Sequence, residues 1–214
     1  MKLNNLYQKF GTMLVFDKPK LRLFEKNENN LNLNIKYWIK NKKIISLKKG
    51  WYALTEKYSK ESDKDFYLEF IANKLIEPSY LSGEYVLNKY GVLTEAVSAI
   101  TSMTTGLKRE IKNQLSVFRY YSISDKLFQG YQVNKKRGNI FILEADLAKA
   151  LFDFLYLRFF RNLPVNEKAV KNLRINWENI SPNNFKKSRS YLKKIRSRKM
   201  ATLYKIINDT YYAG

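Results

Sequence analysis

LNLNIKYWIKNKKIISLKKGWYAL, residues 31–54, contains the change of hydrophobic period that decides how the first part of the chain folds. Leu31, Ile35, Trp38 and Ile39 recur at helical spacing and define one buried face. The opposite face carries Asn32, Lys36, Tyr37, Lys40 and Asn41, with Asn34 near its edge. After Lys43 the period shortens. Ile44, Ile45 and Leu47, then Trp51, Tyr52 and Leu54, are β-prone runs on either side of Lys48-Lys49-Gly50. The pattern predicts a helix and then a hairpin, with Gly50 supplying a positive φ at the turn. Asn29 and Asn30 stand where a helix N-cap is wanted.

A polar-faced helix followed by a lysine-tipped hairpin matches the second half of a winged helix-turn-helix. Asparagine can pair with adenine edges, and lysine neutralises phosphate or reaches guanine. Asn32, Asn34, Lys36, Tyr37, Lys40 and Asn41 are therefore candidates for the groove side. Lys43, Lys48 and Lys49 are candidates for backbone contacts. The bland alternative is an ordinary helix and hairpin with solvated lysines, and the upstream segment counts against it. Leu3, Leu6, Tyr7, Phe10, Met13 and Leu14 keep a helical period. Val15 and Phe16 read as an extended connector. Asp17 reads as the cap of a helix from Lys18 to about Glu25 that tolerates Pro19 in its first turn and buries Leu21 and Phe24. Lys26 to Asn30 is then the turn.

The chain has 214 residues and a formal net charge of +21, which favours a polyanionic partner, most simply nucleic acid. Anionic membrane is the rival, but no apolar run approaches the roughly 18 residues of a spanning helix, and no signal-peptide pattern opens the chain. With 45% hydrophobic residues the chain is a folded protein, not a basic disordered arm. Cysteine and histidine are both absent. That excludes disulfides, thiolate chemistry, histidine dyads and nearly every zinc site, and it suits the cytoplasm. No cofactor or metal is expected. Asp63-Lys64-Asp65 is the best carboxylate pair, but no Gly-Ser loop precedes it, so it reads as a solvated linker and helix start. Glu144 and Asp146 flank a helix start, where negative charge suits the dipole. Neither a P-loop nor G-x-G-x-x-G occurs. The chain reads as no enzyme.

The expected fold class is α+β: a winged helix-turn-helix domain over residues 1–58, then a mixed α/β domain over 64–214 with a small sheet and basic C-terminal helices. The polar run 56–65 is the expected boundary. Phe66, Phe70, Ile71 and Leu75 define a helix ending before Pro78. Ser82 to Tyr90 reads as another, capped by Ser82 and stopped by Gly91. Strands are expected over 99–105, 115–122, 128–133 and 140–143. Residues 146–160 are strongly apolar, and at that length a buried helix is favoured over a strand. Between Glu178 and Asp209 there is no acidic residue. Lys186, Lys187, Arg189, Lys193, Lys194, Arg196, Arg198 and Lys199 fill that stretch, with Lys205 beyond. It reads as one or two basic helices forming a solvated face or a second nucleic-acid surface, and its interleaved Tyr191 and Tyr204 would also suit RNA.

KKIISLKKGWYAL, FIANKLIEPSYLSGEYVLNKYGVL, ITSMTTGLKREI, LFQGYQ and ILEADLAKALFDFLYL stand in the order seen in AbiEi-type proteins, the antitoxins and transcriptional regulators of type IV toxin–antitoxin systems. The resemblance covers roughly residues 16–157. Its most telling pieces are Pro78-Ser79-Tyr80-Leu81-Ser82 with Tyr90-Gly91, the Ile100-Thr101-Ser102 to Thr104-Thr105 run, and Ala145 with Lys149-Ala150-Leu151 and Asp153. It implies a winged helix that represses its own operon through double-stranded operator DNA carrying inverted repeats, and a C-terminal domain with antitoxin activity. The implied companion is a nucleotidyltransferase-like toxin, antagonised without a stable complex. A homodimer on DNA stays open. The family's helix-to-strand turn carries glycine near Lys42. Here Asn41-Lys42-Lys43 stands there, with asparagine expected to take the left-handed conformation. Two alternatives remain: a stand-alone module binding RNA or DNA, and a metal-dependent enzyme acting on nucleic acid through Asp63 and Asp65.

Overall fold

The computed structural model describes residues 2–160 and 162–213. The fold is mixed α+β. The chain divides into two compact units, Met1–Leu75 with Ile111–Val117, and Ile76–Glu110 with Phe118–Gly214.

Unit 1 opens with helix α1, Leu3–Phe10, which buries Leu6 and Phe10. The helix stops there, so Met13 and Leu14 follow it instead of extending its face. Strand β1, Phe16–Asp17, leads into α2, Lys18–Arg22. Asp17 caps α2 by accepting from the Lys20 amide at 3.0 Å, with Pro19 in the first turn. The helix is shorter than its sequence suggests, and Phe24 lies half-exposed beyond its end, edge-on to Phe10 at 5.8 Å. Helix α3 is Glu28–Lys40. Its cap is Asn27, which accepts from the Asn30 amide at 3.0 Å, not Asn29 or Asn30. Starting one turn earlier puts Glu28 in the first turn, where its charge suits the dipole.

Strands β2, Ile44–Lys48, and β3, Trp51–Leu54, form the expected hairpin, and the sheet order is β1-β3-β2. Gly50 takes φ 79° at its turn. A register shift between Ser46 and Lys48 marks a bulge at Leu47. Leu6, Phe10, Phe16, Leu21, Leu31, Ile35, Trp38, Ile44, Tyr52 and Leu54 make one core. Each large apolar side chain buried there contributes on the order of 1.5–3 kcal/mol.

The turn from α3 into β2 corrects one expectation. Asn41 keeps a negative φ of −89°, and Lys42 is the left-handed residue at φ 51°. Asn41 instead folds its amide back onto the Tyr37 carbonyl at 2.9 Å. A lysine Cβ in that conformation costs about 1–2 kcal/mol. Lys42→Gly is therefore expected to stabilise the protein by about 0.5–1 kcal/mol, after subtracting glycine's extra unfolded-state freedom. A rise in the urea midpoint checks it.

Residues 56–65, read as a linker, are largely helical: α4 is Thr55–Lys60 and α5 is Lys64–Leu75. Asp63 caps α5 through the Phe66 amide at 2.9 Å. Tyr67 on α5 donates its hydroxyl to the Leu14 carbonyl.

Unit 2 is built on a mixed sheet of order β6-β7-β5-β4-β9-β8. The strands are β4, Ser79–Leu81; β5, Ala99–Thr104; β6, Arg109–Lys112; β7, Val117–Ser122; β8, Tyr131–Lys135; and β9, Phe141–Ala145. The last residues of β6 and the turn into β7 fall within unit 1's second segment. Strands β4 and β9 run parallel, with Leu81 opposite Glu144, while β4–β5 and β8–β9 are antiparallel. Two of the six strands, β4 and β6, lie outside the ranges in which the sequence predicts strands.

Helix α6, Glu84–Lys89, and helix α7, Leu147–Phe159, complete the centre. Ser82 does not cap α6. Gly83 precedes the helix, and Thr101 accepts from the Tyr85 amide at 3.0 Å. Asp146 caps α7 through the Lys149 amide at 2.9 Å. Helices α8, Glu167–Lys171, α9, Pro182–Ser190, and α10, Arg198–Tyr211, finish the chain. Phe185 and Tyr204 pack together behind α9 and α10, and the Ser188 and Tyr204 hydroxyls share a buried hydrogen bond of 2.6 Å. Among the described residues no helix is long and apolar enough to cross a membrane.

Candidate nucleic-acid interface

Helix α3 buries Leu31, Ile35 and Trp38 and turns its other side to solvent. Lys36, Tyr37, Lys40 and Asn41 are exposed there, and Asn34 is half-buried at the edge. The same exposed side includes Asn29 and Asn30, expected only as caps, and Leu33, for which no role is expected. Leu33 is 64% exposed and Tyr37 60%, so neither serves the core of unit 1. Their helical spacing from Leu31 already separated them from the buried face, but an exposed leucine gave no signal for a particular role.

Asn32 is placed differently from the other candidates. Its side-chain oxygen accepts from the Lys18 ammonium at 2.7 Å, and Lys18 also pairs with Glu28. An adenine would need that same oxygen to accept from its amino group. Glu28 is held further by Arg22, at 2.9 Å from Nε. These pairs tie α2 to the start of α3.

Hydrogen bonds from Arg22 and then Lys18 pull the Glu28 carboxyl down from 4.5 to about 2. Its folded-state value is depressed, so the stabilisation is present above about 4.5 and is lost as pH falls through about 2. A carboxyl-carbon NMR titration is expected to place the Glu28 midpoint near 2, and Arg22→Ala is expected to move it up towards 4.5.

Lys43 and Lys49 are exposed beside and at the tip of the β2–β3 hairpin. Lys43 adds to the lowering of the Glu56 carboxyl, after the larger effect of Lys60. Lys48 is engaged within the protein. Its ammonium donates to the Leu75 carbonyl at the end of α5 and lies 5.3 Å from the Trp51 ring centre. The hairpin thus presents Lys49 outward and turns Lys48 inward.

In unit 2 the C-terminal cations separate into two groups. Lys187 pairs with Asp146 at 2.6 Å, which links α9 to the cap of α7. Lys186, Arg189, Lys193, Lys194, Arg196 and Arg198 are exposed, and Lys199 is half-buried. The buried Phe185, Ser188 and Tyr204 hold these helices from behind.

Four of the residues quoted for the family resemblance, Tyr80, Ser82, Lys149 and Asp153, meet at a site inside unit 2. Lys149 and Asp153, one turn apart on α7, are both fully buried and 2.6 Å apart. Lys149 also donates to the Leu127 carbonyl at 2.8 Å. The Asp153 carboxylate accepts from the Tyr80 hydroxyl at 3.0 Å and from the Ser82 hydroxyl at 2.7 Å. Rings of Tyr191, Phe152 and Tyr80 surround the ammonium at 5.0, 5.2 and 5.7 Å. Burial pushes the Asp153 carboxyl up, against the pull of Lys149 and the two hydroxyls. Sequestered from solvent and hydrogen-bonded throughout, the cluster ties β4 to α7 and has the character of a structural ion pair. A lysine and an aspartate four residues apart within the apolar run 147–155 could have revealed it, since both had to be buried and each needed a partner.

Among the described residues no three acidic side chains gather as a metal site would require. Comparison with known proteins gives no match, either to a protein-family model or to a curated protein.

Proposed function

We propose that this protein is a DNA-binding transcriptional repressor and antitoxin of the AbiEi type. Unit 1 acts as a winged helix-turn-helix, with α2 and α3 as the paired helices and the β2–β3 hairpin as the wing. The observation that carries the reading is the exposed side of α3. It offers asparagine, tyrosine and lysine to solvent on a helix anchored by Leu31, Ile35 and Trp38, with a lysine-tipped hairpin next in the chain. The sole carboxylate on α3, Glu28, is already paired. Such a helix can enter a major groove while the hairpin follows the phosphates. The family resemblance supplies the antitoxin role and the nucleotidyltransferase toxin it would antagonise. Unit 2 would carry that role on the scaffold held by Lys149 and Asp153. The protein would work in the cytoplasm, with no catalytic activity of its own.

Fluorescence anisotropy with the DNA upstream of its own gene tests the docking. Lys36→Ala is expected to cost about 1–3 kcal/mol in affinity and to alter site preference. Lys49→Ala is expected to weaken all sequences alike and flatten the salt slope by about one unit. Lys48→Ala is expected to leave the slope nearly unchanged, because that ammonium is bound to Leu75. Full affinity in both Lys36→Ala and Lys49→Ala would exclude this face.

The exposed C-terminal cations favour a second reading, a module for RNA. Tighter binding to structured RNA than to duplex DNA at matched salt would select it.

A further inference from the structure

The exposed side of α3 has a chemical bias. Asn29, Leu33, Lys36 and Lys40 follow one another at helical spacing, with Asn30 and Tyr37 beside them. The helix contains no arginine, and Arg22, at the end of α2, is bound to Glu28. Arginine and lysine both read guanine through O6 and N7, whereas asparagine pairs with adenine and an apolar group packs on the thymine methyl. A recognition helix enters the groove with its N-terminal half, which here holds Asn29, Asn30 and Leu33. Lys36 follows about a turn later, where it can read a base flanking that stretch, and Lys40 lies beyond it, where it can reach phosphates.

We infer that α3 reads an A·T-rich duplex, with Leu33 packed on a thymine methyl and Asn29 and Asn30 on neighbouring adenine edges. This rests on the proposed role of α3 as a recognition helix. It also explains why a leucine that the core does not use stands in the middle of a polar helix face.

Selection of bound duplexes from a random-sequence pool tests it. An enriched motif with an A·T core is the expected result. Uracil in place of thymine in that core is then expected to weaken binding about fourfold per methyl contacted. Leu33→Ala, an exposed change whose folding circular dichroism can confirm, is expected to erase the difference between thymine and uracil. A motif read through G·C pairs would overturn the inference and leave α3 as a DNA reader. An A·T motif indifferent to uracil would overturn the role of Leu33. No enriched motif at all would overturn both the inference and the recognition-helix reading. Indifference to uracil together with a dimer that Leu33→Ala dissolves would assign this face to a second copy of the chain.

Discussion

Lys149→Met is expected to destabilise unit 2 by about 3–5 kcal/mol, because it strands a buried carboxylate without its cation. Lys149 and Asp153 are both fully buried, and the lysine is the only charged donor on that carboxylate among the described residues. Asp153→Leu is expected to cost a similar amount by stranding the ammonium among aromatic rings. The double variant is expected to recover more than half of the loss, since neither charge then remains buried. It does not recover everything: the Tyr80 and Ser82 hydroxyls lose their acceptor and the Leu127 carbonyl its donor. Hydrogen exchange of the α7 amides reads this locally, which matters in a chain of two units where a single unfolding transition is not assured. Additive losses in the double variant would mean that the two charges do not act as a pair.

Gly130→Ala is expected to cost about 2–4 kcal/mol, combining left-handed strain with overpacking. Gly130 has φ 81°, and a Cβ there would lie 2.0 Å from the Tyr191 hydroxyl oxygen. That ring cannot swing aside freely. It packs 5.2 Å from Phe152, covers the Lys149 ammonium, and its hydroxyl is pushed up to about 12 by burial. In a Tyr191→Leu background the same alanine is expected to cost only about 1–2 kcal/mol, the backbone share. Thermal unfolding of the four proteins gives the comparison. An equal cost in both backgrounds would assign the whole effect to the backbone.

The sequence was most legible where one periodicity ran long enough to exclude the other. The buried stripe of α3, the β2–β3 hairpin and the apolar α7 are examples. It was least legible at short elements. Strand β4 has three residues, too few to show alternation, and β6 is mostly polar and exposed. Ser82 looked like a helix cap because serine usually is one, but its hydroxyl answers Asp153 across the fold. The left-handed residue after α3 fell on Lys42 because Asn41 was drawn into closing the helix end. At the candidate interface, exposure of Lys36, Tyr37, Lys40, Asn41, Lys43 and Lys49 followed from helical and strand period. The inward turn of Lys48 and the capture of Asn32 by Lys18 did not, because both depend on partners distant in sequence.

Under the proposed function, unit 1 reads a specific duplex and does not simply attract polyanions through a net charge of +21. Binding of the full chain to the DNA upstream of its own gene, against scrambled DNA of equal length across a salt series, separates these directly. Specific reading is expected to give a preference of about a thousandfold or more for the native fragment at physiological salt. Equal binding to both fragments, collapsing together as salt rises, would contradict it.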